Sequence, residues 1–221
     1  EEGGQLARGS AGVLRLLHSS SIPVDSLLPV LRRFLAEAPG ARIDLDRISS
    51  EHQIDEVAAG RADVGVIRLP VLHRDPALQF LDLPDEALYV ALPDDHRLAD
   101  RQNIELADLA AEPFVSAVHR ERGGLARRVT DLCLARGFVP RLASAISRKT
   151  SMLDLVAAGF GVAVVPQRMT GLARPGLLFR RLADGDARAC LAVILPPQPT
   201  TLARRFAELL HTSAGSGSAV E

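Results

Sequence analysis

Apolar and polar positions along the chain switch repeatedly between a spacing of two and a spacing of three to four. Residues 13–17 are an apolar run of strand length. Pro23 then opens a pattern in which Leu27, Leu28, Leu31, Phe34 and Leu35 recur at i, i+3, i+4, which predicts a helix that Pro39-Gly40 stops. Over residues 42–48, Ile43 and Leu45 alternate with Asp44 and Asp46, the period of a half-buried strand. Ser49 and Ser50 can cap a helix over residues 51–59 that Gly60 ends, and residues 63–67 are a third strand.

Pro70, Pro76, Pro84 and Pro93 punctuate the next stretch, which reads as two strands, 78–83 and 87–92. A short helix (106–111), a strand (114–118), a helix closed by Gly137 (125–136), an extended stretch (139–146), a helix ended by Gly159 (150–158) and a strand stopped by Pro166 (161–165) follow. Ala58-Ala59-Gly60 before one strand is echoed by Ala157-Ala158-Gly159 before another, and the order strand, helix, strand, helix, strand repeats about a hundred residues on. Two such units each predict a small parallel sheet with right-handed crossovers. The chain returns as strands over 177–182 and 189–195 and a helix over 201–211, and the Ser/Gly-rich stretch 214–219 predicts a frayed tail.

The 221 residues suit one or two domains of ~100–200 residues each. With 47% hydrophobic and 24% charged residues the chain is neither disordered nor a coiled coil, and no apolar run approaches the ~18–20 residues that span a bilayer. No basic-then-apolar leader opens the chain, so a cytoplasmic protein, or a processed or truncated product, is expected, with no membrane partner. The net charge of −1 lacks the basic footprint of nucleic-acid binding. Cys133 and Cys190 read as two buried or free thiols.

Two α/β lobes make a cleft, and in open α/β sheets ligands sit beyond the carboxyl ends of the strands. After the first strand stand Ser19-Ser20-Ser21-Ile22-Pro23, after the second Ser49-Ser50, and after the third Arg68. Hydroxyls, helix N-termini and a planar guanidinium together describe an anion pocket, and the guanidinium fork suits a carboxylate. The alternative is that these serines only cap helices and Arg68 is a solvated surface residue. Catalytic patterns are weak: no G-x-S-x-G elbow, Walker loop or dinucleotide fingerprint is present, and the six histidines are scattered. No cofactor, metal or enzymatic activity is expected.

Taken in order, several segments resemble one family. Residues 27–39 followed by Ile43-Asp44-Leu45, then Ala59-Gly60-Arg61-Ala62-Asp63-Val64-Gly65-Val66, the turn Pro93-Asp94-Asp95-His96-Arg97-Leu98, residues 106–113, and the run from Leu155 through Gly159-Phe160-Gly161 to Pro166 resemble the effector-binding domain of LysR-type transcriptional regulators. The resemblance runs from about Gly12 to His211. It implies an α/β, two-lobed, type-2 periplasmic-binding-protein-like fold, each lobe a central, mostly parallel sheet flanked by helices. Lobe I is expected over 12–84 and 168–212, lobe II over 85–167, the end of a linker helix over 1–11, and a disordered tail over 213–221. It implies no catalysis, an inducer in the inter-lobe cleft, and DNA contact only through an N-terminal winged helix-turn-helix that this chain lacks. It also implies a homodimer or tetramer, formed through the helix at 23–36 and the second-lobe helix at 150–158. Arg68 resembles the arginine of the subgroup that senses benzoate- and muconate-like acids during aromatic degradation, with Ser20 or Ser21 and Ser50 sharing the carboxylate. In lobe II the resemblance assigns His119, Gly123 and Leu125 to the ligand's far end, where Arg120 and Arg122 add charge. Leu125 stands where the subgroup often has an aromatic residue and Gly123 where it often has proline. A solute-binding protein of a transport system is the alternative on the same fold, and an enzyme a third reading that needs a nucleophile in the cleft.

Overall fold

The computed structural model describes residues 11–115, 123–143 and 152–216, with side chains through Ser213. The chain divides into two compact units, one of residues 1–84 and 190–221, the other of residues 85–189.

In the first unit β1 (Ala11–His18) pairs in parallel with β2 (Gly40–Arg47) along its whole length and with β3 (Val64–Arg68) at its carboxyl end. Between them run α1 (Val24–Glu37) and α2 (Ser50–Ala58). The antiparallel neighbour of β3 is β9 (Arg188–Leu195), in register Gly65 with Ile194 and Arg68 with Leu191. Every residue of β3 is buried, so both faces of this sheet are covered. Leu14, Leu16, Val66 and Val193 pack with Phe34 of α1 and Phe206 of α5 (Thr201–Ser216). Leu17, Ile67, Ala192 and Ile194 pack on the other face with Ile54 and Val57 of α2. The alternation along each strand assigns its residues to the two layers. Helix α1 runs through Pro29; burying Leu27, Val30, Leu31 and Phe34 outweighs the one ladder bond a proline removes.

The second unit repeats the plan. Strand β5 (Pro113–Phe114) pairs in parallel with β6 (Arg141–Leu142) on one side and bridges in parallel to Val162 on the other. The helices α3 (Leu125–Ala135) and α4 (Met152–Ala157) intervene. Phe114, Val162 and Val164 pack with Val129, Leu132 and Cys133 of α3, whereas Val115, Ala163 and Val165 pack with Leu153 and Val156 of α4.

Four expectations are corrected. Strand β4 (Gln79–Pro93) is continuous: Pro84 lies exposed inside it, where an extended strand accepts the fixed φ of proline. The second unit is mixed rather than mostly parallel, because β4 pairs antiparallel with both β7 (Ala163–Pro166) and β8 (Leu177–Arg181). Those pairings keep residues 168–189 in the second unit, so the return to the first falls at Cys190 instead of at 168. Helix α5 continues to Ser216, past the tail's expected start at 213, because adding a turn to an existing helix costs little. Residues 217–221, and residues 1–10 of the expected linker, lie outside the described residues. Among the described residues no helix is long and apolar enough to cross a membrane.

Candidate functional site

The parallel strands β1 and β3 both end at one edge of the first unit, and the polar residues after them meet there. Arg68, the last residue of β3, is only 1% exposed and is one of the largest fully buried side chains. Its Nε donates to Ser21 Oγ at 3.1 Å and its Nη2 to the Ser21 carbonyl at 2.8 Å. Its backbone N–H donates to Ser50 Oγ at 3.0 Å. Arg68 is therefore not the solvated arginine of the alternative reading, and Ser21 and Ser50 are both buried.

The serines divide their work. Ser49 is the N-cap of α2 and accepts from the His52 N–H, which frees Ser50, one residue on, to turn inward. Ser50 Oγ lies 3.0 Å from Ser19 Oγ. Pro23 is the N-cap of α1 rather than its first residue and brings no side-chain cap; Ser26 instead bonds back to the Pro23 carbonyl. The N-termini of α1 and α2 thus open beside the same strand ends, with the partial positive charge that helix N-termini carry. His18 is buried and its Nδ1 sits 2.8 Å from the Ile22 carbonyl, fixing the turn that carries Ser19 and Ser21.

Of the predicted residues, the structure brings Ser21, Ser50 and Arg68 together. Ser20 is exposed, on the outside of the turn. Gly123 and Leu125 belong to the second unit, at the start of α3; Leu125 is half-buried against the cluster of Phe114 and Val129, which gives it a packing role. His119, Arg120 and Arg122 lie outside the described residues.

Ser19, one of the three serines that follow the first strand, is buried at the centre of the cluster, and Gln53, which escaped the sequence reading, is wholly buried beneath it. Gln53 Nε2 donates to Ser19 Oγ (3.2 Å) and to the Ile48 carbonyl (3.1 Å), while its Oε1 has no hydrogen-bond partner among the described residues. Leaving a buried acceptor unmet costs ~1–3 kcal/mol. The available signal was position: Ser50, Gln53, Ile54 and Val57 form the i, i+3, i+4, i+7 stripe of α2, so a polar Gln53 stands on the buried face. Among the described residues no group of three or more His, Cys, Asp or Glu side chains could hold a metal ion.

The arrangement supplies hydroxyls, a guanidinium and two helix N-termini, a set suited to holding an anion. Residues 7–215 match the model of the LysR substrate binding domain. The chain is 27% identical over 176 residues to the HTH-type transcriptional regulator AlsR of Bacillus subtilis (strain 168), covering 80% of this chain and 58% of that protein. It is 28% identical to the HTH-type transcriptional regulator TcbR of Pseudomonas sp. (strain P51), covering 94% of this chain and 70% of that one. The chain thus spans less than two thirds of the first relative. The BenM effector binding domain, solved with its effector benzoate, superposes with a TM-score of 0.80 at 23% identity and 95% coverage of both chains, which shows the shared fold. These relatives are transcriptional regulators rather than enzymes, and the transport alternative finds no support in them. The chain belongs to the LysR substrate-binding domain family, with its two-lobed, periplasmic-binding-protein-like α/β fold.

Proposed function

We propose that this chain is the ligand-sensing part of a cytoplasmic LysR-type transcription regulator and that its inducer is a small carboxylate, an aromatic or muconate-like acid. Arg68, Ser21 and Ser50 meet the carboxylate. The observation that carries this reading is the buried guanidinium of Arg68 held against Ser21 where β1 and β3 end, with Ser50 on its backbone. TcbR and BenM supply the analogy to regulators of this kind, and the benzoate is BenM's.

The magnitudes suit a sensor. A helix N-terminus contributes ~0.3–1 kcal/mol to a bound anion, and each charge-assisted hydrogen bond ~1.5–3 kcal/mol. After association entropy this corresponds to about −8 to −4 kcal/mol, micromolar to millimolar affinity. Signalling further requires that the ligand bind two arrangements of the protein unequally. In the proposal those arrangements differ in the dimer or tetramer, whose altered spacing controls how an N-terminal domain engages DNA. Leu28 and Leu35, exposed on α1, suit the helix face that would meet a second copy.

The test is a thermal-shift titration with benzoate, cis,cis-muconate and chlorinated muconates, followed by calorimetry on Arg68→Ala and Arg168→Ala. An acid at 100 times its Kd stabilises by ~2.7 kcal/mol. Arg68→Ala is expected to weaken binding at least tenfold, about 1.4 kcal/mol, and Arg168→Ala to leave it unchanged. Unchanged affinity in Arg68→Ala would sink the assignment.

A further inference from the structure

We propose that the second unit carries a binding site of its own, a cavity beside the end of β8 and the start of β9 that takes a small dianion, a dicarboxylate or a phosphate, on Arg181 and Arg188. This does not rest on the reading of Arg68, Ser21 and Ser50.

Backbone pairing builds the cavity. Strand β8 ends at Arg181, opposite Tyr89 of β4. The Leu182 N–H donates to the Leu88 carbonyl, and Leu182 bridges in parallel to Ile104. That bridge carries Gln102 and Asn103 in beside the end of β8. The Leu88 N–H donates to the Ala187 carbonyl, which brings Arg188, the first residue of β9, alongside β4. The chain turns back through Asp184 and Gly185, and the Ala187 N–H closes that turn on the Asp184 carbonyl at 3.1 Å. The cavity these segments enclose has a volume of about 350 Å³ and lies wholly in the second unit. Ala87, Leu182 and Ala187, all buried, form its apolar part. Its size falls at the small end of ligand pockets, ~300–1,000 Å³.

The fold leaves the polar side chains around the cavity uncommitted. Among the described arginines of the second unit, every guanidinium except that of Arg181 meets a carboxylate or a carbonyl oxygen. Arg181 is exposed and lines the cavity. Arg188 Nη2 donates to the Asp85 carbonyl at 2.6 Å, a neutral partner that leaves its charge uncancelled. The side-chain amides of Gln102 and Asn103 also line the cavity and bond to no other described residue. Asp184, the carboxylate in the lining, is already satisfied: its Oδ1 accepts from Arg136 Nε at 2.8 Å and its Oδ2 from the Leu106 N–H at 2.7 Å. Arg136 and Arg128 together face Asp184 and Asp186, so these two acids are balanced by cations other than Arg181 and Arg188. Two positive charges thus border the cavity with no carboxylate in its lining left to meet them. A guanidinium offers a planar fork of donors that fits carboxylate and phosphate oxygens, and the two amides add further donors. A small molecule with two negative charges matches this set.

The experiment follows the amide signals of the isotope-labelled chain by NMR as inorganic phosphate, succinate or the neutral succinamide is added at constant ionic strength. It compares the wild type with Arg181→Ala, Asn103→Asp and Arg32→Ala, the last an exposed arginine of α1 that bonds to no other described residue. Phosphate, succinate or both are expected to move the Asn103 and Gly185 signals saturably, and succinamide to leave them in place. Arg181→Ala should weaken that binding at least tenfold, and Asn103→Asp, which puts a negative charge into the cavity, should weaken it as well. Arg32→Ala should leave it unchanged. Because Arg181 bonds to nothing in the fold, its replacement should leave the melting of the unliganded chain as it is. A response to phosphate alone would assign the site to a phosphate group, and a response to succinate alone to a dicarboxylate. If neither dianion moves the Asn103 and Gly185 signals, or if Arg181→Ala binds as the wild type does, the inference is overturned. If the signals of Ser21 and Ser50 move while those of Asn103 and Gly185 do not, it is overturned and the Arg68 reading stands.

Discussion

The two units share a connection pattern and load it with different chemistry. In the first, β1 lies between β2 and β3, all parallel, with α1 packed on one face and α2 on the other. In the second, β5 lies between β6 and Val162, again parallel, with α3 on one face and α4 on the other. Each third strand then takes an antiparallel neighbour, β9 beside β3 and β4 beside β7. Near the end of each third strand stands an arginine. Arg68 is fully buried and bonds to the oxygens of Ser21. Arg168 is partly exposed, donates its backbone N–H to Glu86 and sets its guanidinium 3.5 Å from the same carboxylate. Glu86 supplies the charge partner from within the second unit. Topology therefore fixes where a strand-end arginine can stand, and the side chains beside it decide what its guanidinium bonds to, a carboxylate at Arg168 and neutral serine oxygens at Arg68.

The largest expected effect tests whether the two cores are equivalent. Phe34 is wholly buried and meets Phe206 edge-on, with ring centres 5.7 Å apart. Phe114 is equally buried and packs in the cluster that contains Cys133. Truncating either to alanine is expected to cost about 3–5 kcal/mol, with Phe34→Ala the costlier by the ring pair's ~0.5–1.5 kcal/mol. Burial pushes the Cys133 thiol up to about 12, so it is inert while its core is intact. In a Cys190→Ser background its labelling during denaturant melts reports the second core. Phe114→Ala should advance that labelling more than Phe34→Ala does. An advance in Phe34→Ala as large as that in Phe114→Ala, or larger, would show the cores melting as one and break the comparison.

A smaller effect sharpens the echo between the units. Gly60 and Gly159 close α2 and α4 with φ of +70° and +81°, and a Cβ on either would meet nothing within 4 Å. Alanine there is penalised by the left-handed backbone alone, about 1–2 kcal/mol at each site. Urea melts of Gly60→Ala and Gly159→Ala should show equal losses. A variant with no loss would mean that its turn relaxes to another conformation and that the two turns are not equivalents.

These parallels were legible where local pattern decides the outcome. The stripe Leu27, Leu31, Phe34 predicted α1, and the rule of looking just past each strand picked out Ser21, Ser50 and Arg68. What stayed hidden depends on distant partners. The allegiance of residues 168–189 is set by the pairing of β8 with β4, nearly a hundred positions earlier, and no local period encodes it. Pro84 read as a break because its neighbours could not reveal that β4 passes through it. Leu125 read as a ligand contact, yet a half-buried leucine at a helix start fits core packing equally well. Gln53 was overlooked because glutamine usually faces solvent on a helix. Only the apolar stripe around it marked it as buried.

The smallest expected effect concerns acid, and each unit carries one carboxyl that reports it. Burial pushes the Asp63 carboxyl up, but the Arg15 guanidinium, at 2.8 and 3.0 Å, and the Arg15 backbone N–H, at 2.8 Å, outweigh it and hold Asp63 below its ordinary 3.8. Burial likewise raises Glu112, and Arg97 at 2.7 Å with His96 at 3.2 Å holds it below 4.5. A carboxyl whose folded pKa is depressed adds stability above its unfolded pKa and loses it as pH falls through the folded value. Both contributions should therefore be complete at neutral pH and disappear below about pH 4. Melting temperatures of the wild-type chain should fall between about pH 5 and pH 3. Asp63→Asn should flatten that fall more than Glu112→Gln, because Asp63 accepts three short N–H bonds from one arginine, whereas Glu112 is shared between an arginine and an imidazole. A steeper fall in Asp63→Asn, or an unchanged one, would mean that the Arg15 clamp does not contribute to folding, and the two units would then differ in acid sensitivity for a reason outside these two carboxyls.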